Sequence, residues 1–250
     1  MSSFLDRIRA ILRPGHPQPL DRGTGAEGIT PRAVAPVARA APPSPVVSAC
    51  EAFLTAQVGA VVARHAAGSL AHAWPGGGFV TMRADALEGA PLVHATVGLT
   101  AMRPDAARRD AHANSEPDAR DEPGAGAGYE MLVVTHDAGA WPLPLLQWCA
   151  SAELLAGAGL LARVESLGAL SVEGIDVGDG AVHVVITKAR PPLPASTVLP
   201  TGRMTLLVAT IVTDAELAWA QQHGRKRLVM ALVRAGIGQR SDRTRESVLT

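Results

Sequence analysis

Near the start of the chain Phe4, Leu5, Ile8, Ile11 and Leu12 recur at helical spacing, with Asp6, Arg7, Arg9 and Arg13 between them. The pattern predicts a short amphipathic helix over residues 1–13, not the continuous apolar run of a signal peptide. Such a stripe suits a membrane surface or a docking partner. The usual behaviour of chain ends favours a frayed leader. Residues 14–45 are punctuated by Pro14, Pro17, Pro19, Pro31, Pro36, Pro42, Pro43 and Pro45 and read as a flexible linker. A globular part, residues 46–250, is expected to follow. Over residues 44–72 an alanine-rich stretch with Val58, Val61 and Val62 on one face predicts a helix, with His65 and His72 two turns apart. The glycines of residues 74–79 lack a preceding strand and a Gly-Lys-Ser/Thr, so they read as a turn and not as a phosphate cradle.

Residues 92–99 alternate and are β-branched, which predicts a strand. About residues 104–128 are Asp, Arg, Ala, Glu, Gly and Pro almost throughout, a solvated, disordered insertion. Residues 129–136, YEMLVVTH, predict a strand. Residues 141–161 predict a helix with Pro142 near its start and Gly157 and Gly159 at its end. Strand runs and turns fill residues 166–200, with VHVVIT at 182–187 the strongest. RMTLLVATIV at 203–212 reads as a strand buried on both faces. Thr213 and Glu216 have capping-box spacing, hydroxyl at the N-cap and Glu at N3, and open a helix. A second short helix over residues 225–235 ends at Gly236 and Gly238, before a polar tail. The order of elements predicts an α/β protein of the mixed α+β kind, a mixed β-sheet packed by helices.

Composition narrows the function. Twenty-three basic and 23 acidic residues balance in a chain of 250. A sequence-independent nucleic-acid binder would carry a basic excess, so no nucleic-acid partner is expected. No stretch approaches the roughly 20 apolar residues of a membrane span. Two cysteines, Cys50 and Cys149, define neither a disulfide framework nor a zinc site and suit a reducing, cytoplasmic setting. There is no Gly-x-Ser-x-Gly, no His-Glu-x-x-His, no Walker-type loop and no dinucleotide fingerprint. No metal, cofactor or catalytic residue is therefore assigned. His136 and His183, both in strand runs, are the candidates of a rival hydrolase reading.

From Tyr129 onward an ordered series of features resembles the suppressor-of-fused domain family in its bacterial form. A Tyr-Glu strand, YEMLVVTH, precedes a Trp-initiated helix, WPLPLLQWCASAELL. A Gly-x-Met strand, GRMTLLVATIV, runs into a Thr-x-x-Glu helix, TDAELAWAQQHG. A short helix, RLVMALVRAGI, precedes an Asp-x-x-Arg-x-Ser-Val tail, here Asp242, Arg245, Ser247 and Val248. The run ATVGLTAMRP at 95–104 resembles the family's Thr-x-Gly segment. The resemblance covers residues 50–250, weakly before 129. It implies a mixed α/β fold, a protein-binding role and no cofactor. Bacterial members are similar to immunity proteins that neutralise toxins, and the eukaryotic relative is a cytoplasmic inhibitor of a transcription factor.

The reading that follows is a non-enzymatic binding module, an immunity-type inhibitor that neutralises a partner, a toxin encoded nearby, by direct binding. Its rivals are the hydrolase and a housekeeping interaction domain without a toxin partner. Within the tail motif Asp242, Arg245 and Ser247 either tie the tail to the body or meet the partner. Thr213 and Glu216 are expected to cap a helix, Glu216 serving structure and not acid catalysis.

Overall fold

The computed structural model describes residues 45–102 and 124–249. The leader expected over residues 1–13, all of the linker expected over residues 14–45 but Pro45, and most of the insertion lie outside the described residues. Helix α1 (Pro45–Gln57) is followed by strands β1 (Ala60–Ala66), β2 (Gly78–Arg83), β3 (Leu92–Val97) and β4 (Gly124–Thr135). Helices α2 (Pro142–Leu154) and α3 (Leu160–Leu167) lead to β5 (Leu170–Asp176), β6 (Ala181–Lys188), β7 (Ser196–Leu199) and β8 (Gly202–Val212). Helices α4 (Asp214–His223) and α5 (Arg225–Arg234) and the two-residue strand β9 (Arg240–Ser241) close the chain.

The described strands form one mixed sheet in the order β1-β2-β3-β4-β8-β6-β5, with β7 on β8 and β9 on β4. β8 is its spine: every residue from Met204 to Val212 is buried, which explains an unbroken apolar run instead of alternation. β4 and β8 pair in parallel at residues 129–132 and 205–208 and then part. β9 enters the fork, pairing with Val134 and Thr135. The Ser241 hydroxyl accepts the Ile211 N–H at 3.0 Å across it. Helices cover both faces. Tyr129, Met131 and Val133 of β4 point to the α2–α3 side, where Leu145, Leu146 and Leu160 are fully buried. Leu132 and Val134 point to the other side, which α1 covers through Val47, Cys50 and Leu54. On that second side α4 and α5 bury Leu217, Leu228, Val229 and Leu232 against Val185 and Val212.

Three expectations need correction. The helix of residues 44–72 stops at Gln57, and His65 stands on strand β1. A Cβ at Gly59 would lie 1.9 Å from the Arg83 carbonyl oxygen, so the chain passes flush against β2 there. The residues beyond pair antiparallel with β2, Ala60 opposite Arg83 and Ala66 opposite Gly78. The helix of residues 141–161 is two helices, because Gly157 and Gly159 take left-handed backbone (φ 62° and 61°) inside it. Leu155, at the end of the first of them, is exposed, as is Val233 of α5. Finally, β4 begins at Gly124, so residues 124–128 belong to the sheet and not to the insertion.

Candidate partner-binding face

Three of the residues singled out in the sequence, Thr213, Glu216 and Arg245, meet at the Glu216 carboxylate. Thr213 Oγ1 accepts the Glu216 N–H at 3.3 Å, and Glu216 Oε2 accepts the Thr213 N–H at 3.0 Å, a complete capping box. The same carboxylate receives the tail. Arg245 grips it with both terminal nitrogens, Nη1 to Oε1 at 2.6 Å and Nη2 to Oε2 at 2.5 Å. The Val248 N–H donates to Oε1 at 2.9 Å, and Arg245 Nη2 also donates to the Ile211 carbonyl at 3.0 Å. The side chains are 8% exposed for Arg245 and 0% for Glu216. Burial alone would push the Glu216 carboxyl up; the guanidinium and the Val248 and Thr213 N–H groups outweigh it and hold the group below its ordinary value. Asp242 and Ser247 shape the tail's backbone instead: Asp242 Oδ1 accepts the Thr244 N–H and hydroxyl, both at 2.7 Å, and Ser247 Oγ accepts the Leu249 N–H at 3.2 Å. The Thr213→Ala chain is expected to lose about 1 kcal/mol, as other N-cap truncations do, measured by urea denaturation; an unchanged midpoint would remove the cap from the account.

A second buried carboxylate went unassigned in the sequence. Glu130, next to Tyr129 on β4, accepts from the Thr96 hydroxyl at 2.6 Å, the Gly98 N–H at 2.9 Å, and the Thr100 hydroxyl and N–H at 2.9 and 3.1 Å. Burial raises its pKa against those donors. Cys50 of α1 sits beside it, its thiol pushed far up by burial and by Glu130. This cluster joins α1, β4 and the turn after β3. The available signal was the Thr-x-Gly-x-Thr spacing of residues 96–100 opposite the Tyr-Glu pair.

The histidines of the hydrolase reading do not come together. His183 is occupied at both ring nitrogens: Nδ1 accepts the Gly174 N–H at 3.1 Å and Nε2 lies 3.0 Å from Asp214 Oδ1. No nitrogen is left for a nucleophile's proton. His136 is exposed beside Gly89 on the β2–β3 turn. A different histidine chain crosses the sheet: His65 Nε2 and His94 Nδ1 each lie 3.1 Å from Thr81 Oγ1. The far nitrogen of His94, Nε2, is buried without a hydrogen-bond partner. Burial first, and His65 second, hold the His94 imidazole down at about 4. Among the described residues no group of three or more His, Cys, Asp or Glu is placed to hold a metal ion, and no helix is long and apolar enough to cross a membrane.

The feature suited to a partner is a cleft of about 440 Å³ beside β9. One wall is the β2–β3 turn, with Leu87, Glu88 and Pro91; the second is Arg190, Pro191, Pro192 and Leu193; the third is the end of α5, with Val233, Gly236 and Ile237. Gln239 fastens the second wall to the third. Its side-chain oxygen accepts the Arg190 N–H at 2.9 Å, and its nitrogen donates to Thr187 Oγ1 at 2.7 Å and the Lys188 carbonyl at 2.9 Å. The cleft is apolar within and charged at its rim, the arrangement of a ligand groove.

The family model described as Suppressor of fused protein (SUFU) matches residues 80–246. The chain belongs to the Suppressor of fused family. The matched span includes the cleft walls, Glu130, Glu216 and Arg245, and leaves α1 and β1 outside it. Solved structures similar to the chain include the following two. One is the Sufu-Fu complex crystal structure, 14% identical with a TM-score of 0.42, covering 69% of this chain and 76% of that one. The other is Drosophila Suppressor of Fused, 14% identical with a TM-score of 0.43, covering 69% of this chain and 42% of that one. This chain thus spans under half of the Drosophila protein. No curated protein matches it.

Proposed function

We propose that this Suppressor of fused chain is a protein-binding module that takes a segment of a partner protein into the cleft beside β9 and so holds the partner inactive. The observation that carries the reading is the family match over residues 80–246, which encloses all three cleft walls. In the finer form of the proposal the partner is a toxin and the chain its immunity protein, acting in the cytoplasm. The two cysteines are buried and unpaired, which accords with a reducing compartment.

The cleft makes the proposal testable. Val233 is 42% exposed, so Val233→Glu is expected to leave the fold intact. Binding to a partner captured from native lysate, measured by calorimetry, should weaken at least tenfold, about 1.4 kcal/mol. Unchanged affinity would move the partner face elsewhere. Turnover of a substrate by the purified chain would replace the binding reading with an enzymatic one. For the toxin form, co-expression with the product of an adjacent gene should restore growth, and growth arrest despite co-expression would dismiss that gene product as the partner.

A further inference from the structure

The cleft does not end at Arg190. That residue also lines a second hollow of about 340 Å³, together with Glu165, Gly168, Thr187 and Lys188. Gln239, a cleft residue, reaches Thr187 of the second hollow at 2.7 Å, so the two adjoin. Helix α5 flanks both. Val233 near its end lines the cleft. Near its start Lys226 reaches over Gly168, where an added Cβ would stand 2.3 Å from Lys226 Cε and 3.2 Å from Nζ. Lys226, Met230 and Val233 follow one another at helical spacing and are all exposed, a continuous ridge between the two hollows. Lys226 and Val233 are seven positions apart, about 10 Å at about 1.5 Å per residue.

The chain is neutral as a whole, yet this side of it is not. Residues 190–240 hold seven basic residues and two acidic ones, Asp214 and Glu216. Both acids are engaged, Asp214 3.0 Å from His183 Nε2 and Glu216 in the grip of Arg245. Among the described residues Arg190, Lys226, Arg227, Arg234 and Arg240 have no carboxylate partner. Two carboxylates line the hollows. Glu165 is neutralised by Lys188 at 2.8 Å, which leaves Glu88 on the far wall against Arg190 and Arg240.

We propose that the partner segment held on this face is extended and acidic. An apolar side chain enters the cleft among Leu193, Val233 and Ile237, and carboxylates about three or four residues away, at about 3.3 Å each, meet Arg190 and Lys226 at the second hollow. The proposal rests on the reading of the cleft as the partner face and names the chemistry of what enters it. The apolar anchor supplies the hold. The guanidinium fork of Arg190 suits a carboxylate, and the local positive field speeds the encounter. A nucleic acid fits less well, because its phosphates need cations throughout, whereas the cleft is apolar inside and carries Glu88 on one wall.

The test is selection of a random-peptide library on the full chain, followed by titration of the selected peptides. They should carry an apolar residue with Asp or Glu three or four positions away. Arg190 and Lys226 are exposed, so the Arg190→Glu, Lys226→Glu chain is expected to melt as the unaltered one does. It should bind these peptides about tenfold more weakly, and selection on it should turn up Lys or Arg where Asp or Glu stood. Peptides that Val233→Glu weakens, but that lack acidic residues and bind the charge-reversed chain equally, overturn the acidic chemistry and keep the cleft as the partner face. Peptides indifferent to all three substitutions overturn both readings. A selection without binders overturns the acidic segment, and the cleft then stands or falls on the captured partner and Val233→Glu. Displacement of the peptides by an equal concentration of a short oligonucleotide also overturns it, since any polyanion would then serve.

Discussion

Replacing Arg245 with alanine should destabilise the protein by about 3–5 kcal/mol, the cost of stranding one member of a buried ion pair. The size follows from what is left behind. Glu216 has no exposed side-chain surface and would keep only the backbone donors of Thr213 and Val248. Its carboxylate would then face the burial that Arg245 now outweighs, and its pKa should move from below the ordinary value to above it. The loss should therefore be largest at neutral pH and shrink in acid, where Glu216 takes up a proton in the variant. Replacing both partners, Glu216→Gln with Arg245→Met, should cost less than Arg245→Ala alone, because no charge remains unpaired. Chemical denaturation of the single and double variants at two pH values decides the matter. A single variant losing under about 1 kcal/mol would make the pair no stronger than a surface salt bridge.

Acid should weaken the fold through His94 well before the carboxylates titrate. Its imidazole is depressed from 6.5 to about 4 in the fold. The unfolded chain consequently binds the proton more readily. The stability contributed by neutral His94 is complete above about pH 6.5 and is lost as pH falls towards 4, up to about 3 kcal/mol in all. Glu216, with a lowered pKa, loses its contribution only below its ordinary value of 4.5. Glu130, with a raised one, acts with the opposite sign. The contribution of His94 is isolated by subtraction: stability curves from pH 7 to 4.5 for the unaltered chain and for His94→Gln should converge on acidification. Parallel curves would show that His94 titrates alike in both states.

The parts of the fold legible in the sequence were those with local causes. The capping spacing of Thr213 and Glu216 and the apolar run at 203–212 each correspond to an element within a residue or two. The stretch from Ala60 to Ala66 failed because alanine and valine there satisfy a period of 3.6 as well as one of 2. What decides between them is β2, a partner a dozen or more residues away whose pairing no local window contains. The candidate site shows the same division. Glu216 and Arg245 were both singled out, yet nothing in a separation of 29 residues says that one holds the other. The Glu130 cluster, the chain from His65 to His94 and the cleft each draw residues from three or more elements, so they exist only once the sheet is assembled.

The fork between β4 and β8 has a consequence for how the protein is made. Its filler, Arg240 and Ser241, is the last strand in chain order. During synthesis β4 and β8 can pair along residues 129–132 and 205–208, but the Thr135 and Ile211 ends must wait with open backbone groups at the middle of the sheet. Seven strands and α1 through α3 precede even β8, so a long nascent intermediate presents an unpaired internal notch instead of a protected edge. Ribosome-bound chains halted before residue 240 should therefore be the species that chaperones hold longest, and the one most exposed to misassembly with a neighbouring nascent chain.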